Sequence, residues 1–278
     1  MEDLKSQVLK HNFSFKKGLG QNFLTDTNLL DSIVNLAGVS ETDVVLEIGL
    51  GAGALTNALS KKAKKVYGYE IDHSLKPVLE ENLFNCKNVE ITYKDIMKEE
   101  IAFLERKLSD EYIVVANLPY YITTPILMRF IEKANKVKSL TVMVQEEVAE
   151  RLVAKENSKD YGAITVSIDS VANAKIVKRV PKEMFIPRPK VDSAVVRIDI
   201  DRGKVGEFNR EVLKDTIRCA FNNRRKTLSN NLMNYFKISR ETADAILSSV
   251  NVEKDKRGET LSTQKFVELS KEIEKIKK

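Results

Sequence analysis

Asp43-Val44-Val45-Leu46-Glu47-Ile48-Gly49-Leu50-Gly51-Ala52-Gly53-Ala54 decides the fold. Its first half holds Val44, Val45, Leu46 and Ile48, a largely β-branched set that reads as a buried strand. Its second half places three glycines within five residues, and helical spacing then begins through Leu55, Ala58 and Leu59. A strand, a glycine-rich turn and a helix in direct succession open an α/β unit. The glycines let the chain turn tightly and let a nucleotide-like ligand approach the backbone. A plain strand–helix connection needs no such density of glycine.

Outward from that unit the same alternation repeats. Lys65–Glu70 reads as a second strand, followed by a helix around Leu75 to Leu83. Val89–Tyr93 is a third strand and Tyr112–Ala116 a fourth, with a helix from Pro125 to about Lys133. Leu140–Val144 is a fifth, and Ile164–Val171 and Ala194–Ile200 complete the strand-like runs. Such alternation predicts an α/β fold with a mostly parallel sheet covered by helices on both faces. After Asp201-Arg202-Gly203 the pattern changes. Leu213, Ile217 and Ala220, then Leu228 and Leu232, follow helical spacing, and no strand is expected from there to Lys278. The expected organisation is one large domain over residues 1–202 and a small all-helical domain over 203–278.

The 278 residues are 42% hydrophobic, enough for a substantial core, and no apolar run approaches the ~20 residues of a membrane span. Residues 1–18 carry no apolar stretch or small-residue cleavage site, so no secretory signal is expected. Cys86 and Cys219 lack metal-type spacing and point to a reducing compartment. His11 and His73 lie far from any cysteine pair, so neither a zinc site nor histidine-based catalysis is expected. The net charge of +6 is unevenly placed. Residues 1–202 are balanced, whereas residues 203–278 hold 17 basic and 11 acidic side chains, among them Arg224-Arg225-Lys226. A basic appendage on a neutral body suits phosphate, although lysine-rich surfaces are often merely solvated.

Four positions carry candidate chemistry. The glycine turn also fits G-x-G-x-x-A, so alone it does not separate a nicotinamide cofactor from S-adenosylmethionine. Glu70 ends the second strand ~20 residues after the glycines, where a carboxylate can accept both ribose hydroxyls. Asp95 follows the third strand; it can accept a hydrogen bond from an adenine amine or cap the next helix. Asn117-Leu118-Pro119-Tyr120 follows the fourth strand, and ligands of parallel sheets bind beyond the carboxyl ends of the strands. The exocyclic amine of adenine is a weak nucleophile because its lone pair is delocalised into the ring. The Asn117 side-chain oxygen and the Leu118 carbonyl can accept its two N–H bonds and favour the pyramidal nitrogen that attacks a methyl group. Pro119 stiffens the loop, and Tyr120 offers a flat face for a base.

Asn-Leu-Pro-Tyr resembles the N-[LI]-P-[YF] signature of the ribosomal RNA adenine dimethyltransferases. Leu19-Gly20-Gln21-Asn22-Phe23-Leu24 resembles that family's N-terminal cofactor loop. Residues 185–196, FIPRPKVDSAVV, resemble its F-x-P-x-P-K-V-D-S-A-V-V motif. Ala220-Phe221-Asn222-Asn223-Arg224-Arg225-Lys226-Thr227-Leu228 is similar to a segment of the branch that modifies the small subunit. The antibiotic-resistance branch acting on large-subunit RNA generally lacks it. One departure is Leu50, where many members carry proline.

The resemblance implies a Rossmann-like S-adenosylmethionine-dependent methyltransferase with a helical, basic, RNA-binding C-terminal domain. It implies that Asn22 and Leu24 touch the cofactor, Gly49 packs on its amino-acid end, Glu70 holds its ribose and Asp95 its adenine. Asn117 is implied beside the methyl donor, with Phe185 facing Tyr120 across the target base. It further implies dimethylation of N6 on two adjacent adenosines in the 3′-terminal hairpin of 16S rRNA. The substrate would be an assembling small subunit, and the enzyme a cytoplasmic monomer without metal or membrane. The alternatives are a large-subunit resistance methyltransferase, a non-catalytic assembly factor that has kept the fold, and, more distantly, a dehydrogenase.

Overall fold

The computed structural model describes residues 21–24 and 26–277; Leu19 and Gly20 of the N-terminal motif lie outside the described residues. A short strand β1 (Phe23–Leu24) precedes helix α1 (Thr27–Leu36), whose first turn is capped by the Asp26 carboxylate accepting from Leu29 N at 2.8 Å. The α/β alternation then runs β2 (Val44–Ile48), α2 (Ala54–Ser60), β3 (Lys65–Glu70), α3 (Lys76–Asn82), β4 (Val89–Tyr93), α4 (Ile101–Leu108), β5 (Tyr112–Asn117), α5 (Thr123–Lys133) and β6 (Val137–Gln145). There follow α6 (Glu146–Leu152), α7 (Ala163–Asp169), β7 (Ala172–Val180), β8 (Phe185–Ile186) and β9 (Ser193–Ile200).

Seven strands form one sheet in the order β4-β3-β2-β5-β6-β9-β7, while β1 and β8 pair separately. The first five are parallel neighbours, and β9 runs antiparallel to β6. β2 sits between β3 and β5, and all five of its residues are buried, as expected for a strand covered on both faces. The connection from β4 on one edge back to β5 beside β2 reverses the strand order, making the carboxyl ends of β2 and β5 the switch point where such sheets bind ligands. Val45, Ile113 and Val115 pack against Ile33, Leu55 and Leu59 on one side. On the other, Leu50 is enclosed with Phe23, Leu75, Val78, Leu79 and Leu83.

Leu50 is accommodated by Gly68. A β-carbon at Gly68 would lie 2.6 Å from Leu50 Cδ2, and Leu50 is walled in. Gly68→Ala is therefore expected to lower stability by ~1–3 kcal/mol through overpacking, read from chemical denaturation midpoints. Adding Leu50→Ala should recover part of that loss. A change within ~0.5 kcal/mol in Gly68→Ala alone would show that Leu50 moves freely.

Ile164–Val171 is a helix rather than the expected strand: α7 buries Thr165, Val166 and Ile168. Its β-branched residues fit either state, but Gly162 N donates to Thr165 Oγ1 at 3.2 Å and the Thr165 hydroxyl donates to the Arg151 carbonyl at 2.7 Å, closing a first turn. The strand comes next, as β7, whose Lys175, Lys178 and Arg179 suit the edge it occupies.

Packing also divides the chain differently from a single cut after residue 202. One unit holds the described residues up to Ala149 with Lys175–Asp199, and the other holds Glu150–Ala174 with Ile200–Lys278. Tyr161 and Val166 explain this, because they share a buried cluster with Leu213, Ile217, Leu228 and Phe266. The Tyr161 hydroxyl also donates to the Leu261 carbonyl at 2.8 Å. Among the described residues after Ile200 there is no strand. The helices there are α8 (Arg210–Asn222), α9 (Leu228–Phe236), α10 (Arg240–Ser249) and α11 (Thr263–Lys277). Asn209, Thr227 and Ser239 cap the first three through side-chain oxygens. Between α8 and α9, Asn231 Nδ2 donates to the Ala220 and Asn223 carbonyls and closes a turn that leaves Arg224, Arg225 and Lys226 exposed.

Candidate active site

The carboxyl ends of β2, β3 and β5 open into a cleft of about 1130 Å³, including its mouth. Gly49, Gly51 and Gly53 all have positive φ (75°, 56° and 83°), a region costly for other residues. At Gly51 close approach adds to this: a β-carbon would lie 2.5 Å from the Phe23 ring.

Of the residues expected at the site, Asn22, Leu24, Gly49, Glu70, Asp95, Asn117, Leu118, Pro119 and Tyr120 all line this one cleft. Glu70 is 5% exposed. Its Oε2 accepts from Gly51 N at 3.0 Å and its Oε1 from Asp72 N at 2.9 Å. The carboxylate thus ties the glycine turn to the segment after β3, and each oxygen keeps capacity for another donor. Burial, and to a smaller extent the charge of Asp72, raise its pKa, while backbone N–H bonds from Asp72, Gly51 and Ile71 pull it down. Asp72 extends the network by accepting from Gln21 Nε2 at 2.8 Å. Asp95 takes the capping role expected as one of its two alternatives: Oδ1 accepts from Met97 N at 2.9 Å and caps the short turn Ile96–Lys98, and the residue also lines the cleft.

The loop after β5 is held from several sides. Asn117 Nδ2 donates to the Asn22 carbonyl at 3.0 Å. The Pro119 carbonyl accepts from Ile122 N at 3.1 Å and from the Thr123 hydroxyl at 3.2 Å. None of these bonds uses Asn117 Oδ1 or the Leu118 carbonyl, the two acceptors expected to hold an adenine amine. Tyr120 is half-buried, and its hydroxyl shares a 2.9 Å hydrogen bond with the buried Ser193 Oγ. Burial and the charge of Asp192 raise the phenol's pKa, so it stays protonated.

Phe185 departs from expectation. It does not line the cleft: it is 3% exposed, packed in the core beside Ile33 and Leu55. Its backbone pairs with Leu24 across β1 and β8. Pairing so remote in sequence turns the Phe185 side chain inward, so that it anchors the Asn22–Leu24 segment instead of offering a face to a base. The aromatic group added at the mouth is Tyr121, which lines the cleft and is 61% exposed. Sequence reading passed over Tyr121, although it directly follows the motif. It also passed over Glu47, the one charged residue in an otherwise apolar strand, and over Ser193 as the support of Tyr120.

The matching family profile is that of Ribosomal RNA adenine dimethylase, over residues 12–275. The chain is 43% identical over 279 residues to Ribosomal RNA small subunit methyltransferase A of Bacillus licheniformis, covering 98% of this chain and 96% of that one. It is 42% identical over 275 residues to the protein of the same name in Alkaliphilus oremlandii, with the same coverage. Among solved structures, a dimethyladenosine transferase from Plasmodium falciparum superposes with a TM-score of 0.78 at 25% identity, covering 91% of this chain and 98% of that one. The 23S rRNA methyltransferase ErmE superposes at 0.67 with 26% identity, covering 91% and 100%. Since the profile and both relatives span nearly its whole length, this chain belongs to the ribosomal RNA adenine dimethylase family.

Proposed function

We propose that this protein transfers methyl groups from S-adenosylmethionine to N6 of two adjacent adenosines in the 3′-terminal hairpin of 16S rRNA, within an assembling small subunit. The observation that carries this reading is the loop Asn117–Tyr120, held at the cofactor cleft with Asn117 Oδ1 and the Leu118 carbonyl left unused by its own hydrogen bonds. The cleft suits the cofactor: Glu70 retains acceptor capacity for ribose hydroxyls, Asp95 stands at its edge for an adenine amine, and the glycine turn admits the amino-acid end. Bound S-adenosylmethionine supplies an activated methyl on a sulfonium sulfur.

The residues of the chain supply position and exclusion of water. Asn117 Oδ1 and the Leu118 carbonyl accept the two amine hydrogens and direct the nitrogen lone pair. Tyr120, clamped through Ser193, presents its ring to an extruded base. No strong base is needed, because the amine becomes acidic once methylated and loses its proton readily. After one transfer a single N–H remains to be held, which permits the second.

Support for the small-subunit target comes from relatives named for that subunit at 42–43% identity and from the exposed Arg224-Arg225-Lys226 turn. Among the described residues no helix is long and apolar enough to cross a membrane. We read the protein as a cytoplasmic monomer. The test is to offer unmodified small- and large-subunit particles and map the methyls by mass spectrometry. Dimethyladenosine at two neighbouring positions of the 16S 3′ hairpin is the expected product. Methyls on 23S RNA alone would reassign the target, and none on either would favour a non-catalytic assembly factor.

The basic turn gives a second expectation. If it contacts phosphate, Arg224→Glu/Arg225→Glu should weaken RNA binding and reduce the slope of log affinity against log salt by about two. Cofactor affinity should stay unchanged, because the cleft is built by the other unit. An unaltered slope in a salt titration would return the turn to ordinary solvated surface.

A further inference from the structure

Arg129 sits midway along α5 and is partly buried. Its Nη1 donates to the Met97 carbonyl and its Nη2 to the Glu99 carbonyl, 32 and 30 residues away in sequence. Its Nε is buried without a partner. The guanidinium thus gives up water on one side and spends its fork on two peptide oxygens. Desolvating a cation for neutral acceptors is poor economy for stability alone, so the place it holds in the fold calls for a reason.

The segment it grips carries Asp95. Asp95 Oδ1 accepts from Met97 N at 2.9 Å, Lys98 N donates to the Asp95 carbonyl at 3.0 Å, and Glu99 N donates to the Ile96 carbonyl at 3.2 Å. The Lys94 ammonium closes the segment by resting on the Glu99 carboxylate at 2.9 Å. All of these bonds are internal to residues 94–99, so they shape the turn without fixing where it stands. Burial of Ile96 adds attraction but no direction. Among the described residues, the hydrogen bonds that join Asp95–Glu99 to another element are the two from Arg129. Asp95 Oδ2 takes part in none of these bonds.

The helix behind the grip is itself anchored at the cleft. Ile122 N and the Thr123 hydroxyl hold the Pro119 carbonyl, and Ile122 and Ile126 line the same cleft as Asp95. Arg129 therefore ties the turn after β4 to the helix that grows out of the loop after β5.

We infer that Arg129 is a positioning residue for cofactor specificity: its two-pronged grip fixes the turn after β4 so that Asp95 Oδ2 meets the exocyclic amine of the cofactor's adenine. This rests on the cleft being the S-adenosylmethionine pocket with its adenine at Asp95. A carboxylate fixed in place favours a purine that donates from its six-position and rejects one that presents an oxygen there. A carboxylate free to swing away loses both the attraction and the rejection. Arginine suits the task because its planar fork reaches two carbonyls at once, which the single ammonium of lysine does not.

The test is calorimetric titration of the full chain with S-adenosylhomocysteine and with S-inosylhomocysteine, which differ only in carrying an amine or an oxygen at that position. The wild-type protein should favour the adenine ligand by at least about tenfold. Arg129→Gln, too short to reach either carbonyl, should weaken S-adenosylhomocysteine on the order of tenfold and leave S-inosylhomocysteine within about twofold, so the ratio collapses. Arg129→Lys should stand between the two. A merely structural role would lower both affinities together and leave the ratio intact, so an unchanged ratio in folded Arg129→Gln overturns the proposal. Should Arg129→Gln not fold, Arg129→Lys decides alone: a ratio below wild type supports the grip, and one equal to it overturns it. A wild-type ratio near one would remove Asp95 as the reader of adenine, and the proposal with it. Failure of both ligands to bind the wild-type protein would instead overturn the cofactor reading of the cleft on which the proposal rests.

Discussion

Asn117→Ala is expected to slow methyl transfer by on the order of 10²- to 10³-fold, the range seen when one preorganised polar contact to a reacting group is removed. The substitution deletes Oδ1, one of the two acceptors proposed to hold the target amine, and leaves the nitrogen lone pair undirected. It also deletes the Nδ2 donor to the Asn22 carbonyl, so a modest loss of cofactor affinity should accompany the kinetic loss. Asn117→Asp separates the two effects. It retains an acceptor for the amine but cannot donate to Asn22, and it places a carboxylate against a carbonyl oxygen. It should therefore lose cofactor affinity while recovering part of the single-turnover rate at saturating S-adenosylmethionine. A single-turnover rate in Asn117→Ala within a few fold of wild type would sink the amine-holding role.

Glu70→Ala should act almost wholly on binding. Loss of one to two hydrogen bonds from ribose hydroxyls to a carboxylate, at ~1.5–3 kcal/mol in all, weakens S-adenosylmethionine by roughly 10- to 100-fold. The same truncation leaves Gly51 N and Asp72 N without their acceptor, and each such orphan costs ~1–3 kcal/mol. The thermal midpoint should therefore fall together with affinity, and binding should be compared at a temperature where the variant is folded. Turnover at saturating cofactor should change far less than in Asn117→Ala, since Glu70 touches neither the amine nor the loop after β5. Calorimetry giving unchanged affinity in the folded variant would exclude Glu70 from the ribose site.

The two residues illustrate why so much of this cleft was legible. Both end strands that are plain in sequence, and the carboxyl ends of neighbouring parallel strands converge by topology alone. Phe185 shows where such inference stops. Its motif is as recognisable as Asn117–Tyr120, but it lies outside the parallel strands, and its orientation depends on the pairing of Phe185 with Leu24. Ser193 was legible as part of a motif but not as the partner of Tyr120, 73 residues away.

By itself the sequence determined the order of strands and helices around the glycine turn, the basic balance of the last helices and the place of Glu70 and Asn117 at strand ends. These follow from periodicity, capping and turn chemistry, which act over a few residues and are written locally. The tertiary structure alone decided that Ile164–Val171 coils, that Tyr161 and Val166 join the C-terminal core, that Phe185 is buried while Tyr121 is exposed, and that both oxygens of Glu47 lie unpaired at the cleft floor. Each of these depends on which distant segment supplies the neighbouring atoms. A β-branched run accepts either helix or strand until packing chooses, and a carboxyl is satisfied or orphaned only by what surrounds it once the chain has closed.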